Sequence, residues 1–253
     1  MFALLLTAAV TAEPKKVEWT VGGDRREALV VASSSGDPAP LVFVWHGHGG
    51  TMRHAATTMG FHKQWPEAVV VYPQGLPTPG ALTDPEGKKP GWQKVAGDQN
   101  DRDLKFFDDM LKTLKKDHKI DDKRIYSTGH SNGGAFTYLL WAQRGDVFAA
   151  VAPSAAGGRA VQGIKPLPCL HVMGETDPLV TPAIQKRAIE LVKKANGCDA
   201  DGKAWAKAGQ LTGTQYGSKG GPPLVLLTHP GDHKFPAEAP ELIVKFFKEH
   251  AKK

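Results

Sequence analysis

The sequence predicts an α/β fold built on a central, mainly parallel sheet with helices on both faces. Three observations carry that expectation. Short apolar runs alternate with segments of helical spacing. The runs at 41–45, 68–72 and 169–173 are continuously apolar rather than alternating, so both faces of those strands should be covered. Finally, His46, Ser131, Asp177 and His233 each fall just after such a run. Ligands of open parallel sheets bind beyond the carboxyl ends of the strands, where these four residues would meet.

Two early strands, 17–21 and 28–32, flank the turn Val21-Gly22-Gly23-Asp24. The strand at 41–45 ends in His46-Gly47-His48-Gly49-Gly50, and a short helical segment over 52–65 leads to the strand at 68–72. Residues 73–100 are rich in proline and glycine and lack periodicity, as in a functional loop. Residues 103–118 place Leu104, Phe107, Met110, Leu111 and Leu114 on one helical side. Asp98, Asn100, Asp101 and Asp103 read as its amino-terminal cap, with favourable charges. Next come a strand at 124–128, a helix from about 135, strands at 147–152 and 169–173, a helix at 182–195, a last strand at 224–228 and a final helix at 239–252.

The chain has 253 residues, 41% of them hydrophobic, enough for one substantial core. No composition shift, repeat or linker divides it, so 13–253 is read as a single catalytic domain. The 32 basic and 26 acidic residues give a net charge of +6, spread over short clusters at 115–116, 193–194 and 252–253. No aromatic-interleaved basic patch is present, which excludes a nucleic-acid groove. Residues 2–10 form an apolar run followed by Val10-Thr11-Ala12, so residues 1–12 read as a signal peptide cut after Ala12, although no Lys or Arg precedes the run. A secreted or periplasmic protein is expected. No stretch approaches the ~20 apolar residues of a membrane span. Cys169 and Cys198 fit either compartment, and whether they pair is left open. Nothing in the sequence speaks to oligomeric state.

The chemistry centres on Gly129-His130-Ser131-Asn132-Gly133. A serine in Gly-x-Ser-x-Gly between a strand and a helix marks a nucleophile elbow, whose turn leaves no room for side chains at 129 and 133. A serine hydroxyl needs a base within hydrogen-bond reach and a carboxylate to orient that base. Such partners follow in the order acid, then histidine. Of the downstream histidines, His171 lies inside a buried strand as a hydrogen-bonded core residue and His250 closes a terminal helix. His229 and His233 share the loop after the last strand; the base is assigned to His233, with His229 as alternative. Asp177, several residues ahead of the helix at 182, is the acid, and Asp199 and Asp201 are alternatives in a solvated loop. The oxyanion donors are assigned to the backbone N–H groups of Asn132 and His48, with Gly47 close behind. Trp92, in the long loop, either stacks on a sugar or phenolic ring of the substrate or packs the loop. The His46–His48 and His229–His233 pairs lack the cysteines or the His-Glu-x-x-His helix of a zinc site, and the acidic cluster at 98–103 lacks the glycine and distal glutamate of a calcium loop. No metal and no cofactor are expected.

These motifs resemble secreted α/β-hydrolase esterases grouped with polyhydroxybutyrate depolymerases and feruloyl and acetyl-xylan esterases. The matching pieces are the turn at 46–50, Val71-Tyr72-Pro73-Gln74-Gly75, Gly91-Trp92, residues 121–126 leading into 129–134, residues 174–180 and residues 233–236. The resemblance implies Ser131, Asp177 and His233 as triad, in agreement with the residue-level reading. Two positions depart from it. The family often has His-x-Trp-Pro where this chain has His233-Lys234-Phe235-Pro236, and it often pairs a cysteine placed like Cys198 with a later one that this chain lacks. Its polyester depolymerases tend to carry a polymer-binding module not seen here. The resemblance therefore favours a serine carboxylic-ester hydrolase acting through an acyl-enzyme on feruloyl, acetyl, or other polysaccharide-linked or short-chain esters. Alternatives are a polyhydroxyalkanoate depolymerase or oligomer hydrolase, a non-catalytic module binding carbohydrate or a partner, and a serine peptidase. Acyl and alcohol specificity depend on how residues 76–100 and 155–167 fold.

Overall fold

A computed structural model describes residues 12–80, 84–158 and 163–253. The expected leader over 1–12 lies outside them apart from Ala12. In chain order the elements are β1 (Lys15–Val21), β2 (Asp24–Val31), β3 (Ala39–Trp45), α1 (Met52–Thr58), α2 (Phe61–Gln64), β4 (Val69–Pro73), β5 (Leu76–Pro77), β6 (Pro90–Gly91), α3 (Arg102–Asp117), β7 (Ile120–His130), α4 (Asn132–Arg144), β8 (Ala150–Ser154), β9 (Cys169–Gly174), α5 (Pro182–Asn196), β10 (Lys203–Ala208), β11 (Leu211–Tyr216), β12 (Leu224–His229) and α6 (Ala239–Lys248).

The main sheet runs β1-β2-β4-β3-β7-β8-β9-β12-β11-β10. Every neighbouring pair from β4 to β12 is parallel, and two strands join antiparallel at each edge. Its core has two layers because side chains alternate across a pleated strand. Leu41, Phe43 and Trp45 of β3 join α3, α4 and α5 through Phe107, Phe136 and Ile189. Val42 and Val44, between them, join α1, α2 and α6 through Met52, Phe61 and Phe246. A strand sandwiched between helices has no wet face, which accounts for the apolar runs of β3, β4 and β9.

The expected helix over 52–65 divides at Gly60, whose φ of 52° is left-handed, into α1 and α2. The strand expected from 147 begins at Ala150, after a 3-10 turn over Gly145–Val147. β10 and β11, one of them an outer edge, were not anticipated. They are half-exposed, alanine-, lysine- and glycine-bearing, and interrupted by a register shift between Ala204 and Lys207, so neither apolar continuity nor clean alternation marks them. Asp199 lies beside them, pairing its N–H with the Gly217 carbonyl. Cys169 and Cys198 are free thiols.

The acidic cluster at 98–103 is not the expected cap. Asp101 stands at the cap position with φ of 56° and makes no side-chain cap bond. The amide oxygen of Gln93 instead accepts from the N–H groups of Asp103 and Leu104, satisfying donors that the first helical turn leaves open. Asp103 itself is fully buried. Its carboxylate accepts from Arg26 Nη2 at 2.8 Å and from the Gln93 N–H at 2.8 Å. The Arg26 guanidinium also donates to the Arg102 carbonyl at 3.2 Å and lies 4.2 Å over the Phe106 ring. This pair ties β2 to the start of α3 and to the end of the long loop.

Removing one member of a buried pair strands the other charge without solvent. Asp103→Ala is therefore expected to cost about 3–5 kcal/mol in urea unfolding, and Arg26→Met combined with Asp103→Leu distinctly less. A double variant no more stable than Asp103→Ala would show that the pair contributes packing rather than charge compensation.

Candidate active site

β7 delivers Ser131 to the rim of the sheet and α4 leaves from the next residue. Ser131 has φ of 56° and ψ of −119°, a backbone conformation that costs a non-glycine residue about 1–3 kcal/mol and persists only when its surroundings enforce it. They do so through close approach. A Cβ on Gly129 would lie 2.5 Å from the Gly133 carbonyl oxygen, and one on Gly133 would lie 2.3 Å from the Trp45 carbonyl oxygen and 2.6 Å from that of His46. A Cβ on Gly134 would lie 2.6 Å from the Ser154 carbonyl oxygen. Helix α4 thus sits directly against the ends of β3 and β8, with Ser131 at the apex of the turn.

The structure brings Ser131, His233 and Asp177 together from the ends of β7, β12 and β9. His233 Nε2 is 2.8 Å from Ser131 Oγ, and His233 Nδ1 is 2.7 Å from Asp177 Oδ2. Asp177 is buried, and its Oδ1 accepts the N–H groups of Leu179 and Val180, both at 2.9 Å. An ionised carboxylate accepts but cannot donate, so the His233 proton sits on Nδ1 and Nε2 is left to accept from the serine. His229 does not enter this arrangement: its Nδ1 accepts the N–H of Gly231 within its own loop.

Gly47 flanks the nucleophile, since a Cβ there would lie 3.5 Å from Ser131 Cβ. The His48 ring is part of a clamp on the long loop, with Nε2 2.9 Å from the Thr78 carbonyl. Gly80 and Gly91 pack against that ring, where a Cβ on either would come within 2.8 Å of it. The Asn132 side chain holds the same loop, accepting the Trp92 N–H at 2.7 Å and donating to the Trp92 carbonyl at 3.0 Å. Of the two roles read for Trp92, substrate stacking is corrected and packing holds. The ring is fully buried beneath the elbow, 5.0 Å from the Trp45 ring and 5.5 Å from that of Phe136, and its Nε1–H donates to the His46 carbonyl at 2.8 Å. No face is left for a sugar.

A cleft of about 520 Å³ opens over Ser131 and His233. One wall is apolar, formed by Ala156, Leu179, Val180 and Ile184, and the other carries Lys94 and Asp98. Leu179 and Ile184 are 43% and 45% exposed, so this wall presents aliphatic side chains to the open cleft. Among the described residues no group of three or more His, Cys, Asp or Glu is placed to hold a metal ion. Sequence reasoning missed Gln185, whose Nε2 donates to Asp177 Oδ2 at 3.2 Å. The available signal was a glutamine at 185 on the side of α5 that buries Ala188, Ile189 and Val192.

The Prolyl oligopeptidase family matches residues 87–158. The chain is 28% identical over 208 residues to feruloyl esterase D of Neurospora crassa, covering 78% of this chain and 69% of the relative. It is 33% identical over 84 residues to a bifunctional acetylxylan esterase/xylanase of Neocallimastix patriciarum, covering 32% of this chain and only 12% of that protein. The solved acetyl xylan esterase from Aspergillus awamori superposes with a TM-score of 0.72 at 13% identity, covering 92% of this chain and 99% of that one. The fold is that of an α/β-hydrolase, as the sequence resemblance implied; these relatives are esterases, and the fold is shared with a ferulic acid esterase and with acylaminoacyl peptidases.

Three imidazoles near the core set a pH dependence of stability. Burial pushes His46, His130 and His171 down to about 4 from the ordinary 6.5. Between those values the unfolded chain takes up protons that the folded chain refuses, so their stabilisation is complete above about pH 6.5 and is lost as pH falls toward 4. At about 1.4 kcal/mol per pH unit for each group, urea unfolding at pH 7, 5.5 and 4 should show a fall of several kcal/mol. A flat profile would mean that these rings charge freely in the fold.

Proposed function

We propose that the chain is a serine carboxylic-ester hydrolase working through an acyl-enzyme. The observation that carries this reading is the Ser131–His233–Asp177 chain of hydrogen bonds, 2.8 and 2.7 Å long, opening onto an apolar-walled cleft. His233 Nε2 takes the Ser131 proton as Oγ attacks the acyl carbon, and Asp177 stabilises the imidazolium that forms. The oxyanion is received by the Asn132 N–H, at the positive end of α4, and by the N–H of His48 or Gly47. Loss of one such donor typically costs about 3 kcal/mol of transition-state stabilisation. His233 then returns the proton to the leaving alcohol, and water repeats the sequence on the acyl-enzyme.

The names of the relatives and the apolar wall of Leu179, Val180 and Ile184 support feruloyl, acetyl and other polysaccharide-linked or short-chain esters as substrates. Short hydroxyalkanoate esters are the alternative within the same chemistry. Ser131→Ala is expected to lower p-nitrophenyl acetate turnover by about 10⁵–10⁶-fold and to abolish labelling by a fluorophosphonate, with the melting temperature preserved. Retained turnover in that variant would sink the assignment. A panel of methyl ferulate, acetyl-xylan and hydroxybutyrate oligomers ranks the substrates. The Prolyl oligopeptidase match keeps peptide hydrolysis as a second reading, favoured if peptide p-nitroanilides outpace every ester.

We read residues 1–12 as an export leader, on the apolar run at 2–10 and the small residues Val10 and Ala12. Among the described residues no helix is long and apolar enough to cross a membrane. Expressed with its leader in a secreting host, the protein should appear outside the cytoplasm with Glu13 as its amino terminus, measured by intact mass. A cytoplasmic product retaining Met1–Ala12 would overturn that reading.

A further inference from the structure

The hydrogen bonds around Asp177 do not stop at His233. Gln185 Nε2 donates to Asp177 Oδ2 at 3.2 Å and to the Val180 carbonyl at 2.7 Å. Both neighbours of that nitrogen are acceptors, which fixes the amide orientation and turns Oε1 toward His171 Nε2, 3.0 Å away. The His171 proton must then sit on Nε2, leaving Nδ1 to accept from the Tyr138 hydroxyl at 2.8 Å. Tyr138, His171 and Gln185 are all fully buried, where a lost partner costs the most. Every donor along this chain points the same way, toward Asp177.

We infer that Gln185, locked by His171 and Tyr138, is a positioning residue that holds the Asp177 carboxylate in line with His233. Two main-chain donors seat Oδ1, whereas among the described residues Oδ2 is shared between His233 and Gln185, so Gln185 decides where the oxygen that faces the base is held. Without it, Oδ2 loses half its donors in a buried site and the carboxylate is free to turn away from the imidazole. Burial keeps His171 uncharged at neutral pH, which preserves the single tautomer the chain requires. This inference rests on the esterase reading for its kinetic readout but not for its geometry.

The experiment compares Gln185→Leu, Gln185→Glu and Tyr138→Phe with the wild type. Gln185→Leu should lower kcat by about tenfold or more at unchanged KM, by the same factor at every pH. Tyr138→Phe, at the far end of the chain, should lower kcat a few-fold at unchanged KM. In Gln185→Glu the new carboxyl faces Asp177 on one side and His171 on the other, with His233 beyond Asp177; Lys186 and Arg187 on the same helix are exposed. Protonated, it donates to Oδ2 as the amide does; ionised, it repels Asp177. Its kcat relative to wild type should therefore be near one at acid pH and fall as pH rises. Separately, the low-field proton resonance of His233 Nδ1–H should move in Gln185→Leu whether or not any ester is turned over. Wild-type kcat and an unmoved resonance in Gln185→Leu would overturn the inference. An inactive, unlabelled wild type with a shifted Gln185→Leu resonance would instead locate the failure in the esterase reading.

Discussion

The absence of space for a side chain at 129 and 133 is the constraint on which the site depends. Helix α4 approaches β3 so closely that only hydrogen fits between Gly133 and the main chain of Trp45 and His46. That contact forces the sharp reversal after β7, and the reversal in turn places Ser131 in its costly left-handed conformation. The energy is supplied by the buried aromatic cluster of Trp45, Trp92, Phe107 and Phe136 beneath the turn. Aromatic burial is worth enough to hold one strained residue, because each ring removes a large apolar area from water.

Asp177 is the electrostatic counterpart. A buried carboxylate is tolerated only when its lone pairs are occupied, and here four donors reach it: two main-chain N–H groups, an amide and an imidazole. Rigid strands position the imidazole and the serine, while a helix and a tight turn position the acid. The reacting groups thus follow the ends of β7, β9 and β12, parallel strands of one sheet in which β8 separates the first two.

The legible part of the sequence is the part that had one physical cause. Continuous apolar runs reported β3, β4 and β9 because both faces are covered, and the glycines around Ser131 reported the elbow because a steric limit leaves no other residue. Position after a strand separated His233 from His171, although it did not by itself separate His233 from His229. What could not be read depended on distant partners. Gln93 caps α3 from ten residues upstream, Asp103 pairs with Arg26 across 77 positions, and Trp92 turns inward rather than toward the cleft. An acidic cluster before a helix and a tryptophan in a loop each have two common fates, and only the fold decides between them. β10, the outer edge, and β11 beside it were invisible because neither carries apolar continuity or clean alternation.

The long loop is stapled at its neck. The Thr78 N–H bonds the Lys89 carbonyl, Leu76 pairs with Gly91, and Asn132 grips Trp92, while the catalytic groups lie on the sheet side of these staples. Gly80 and Asp84 are bridged as well, so the chain enters and leaves this part of the loop at one point. Closing such a loop costs entropy only as the logarithm of its length, about 0.6 kcal/mol per doubling. Insertions there can reshape the rim above the cleft while leaving the nucleophile's alignment intact, which makes this excursion the natural graft point for retuning selectivity.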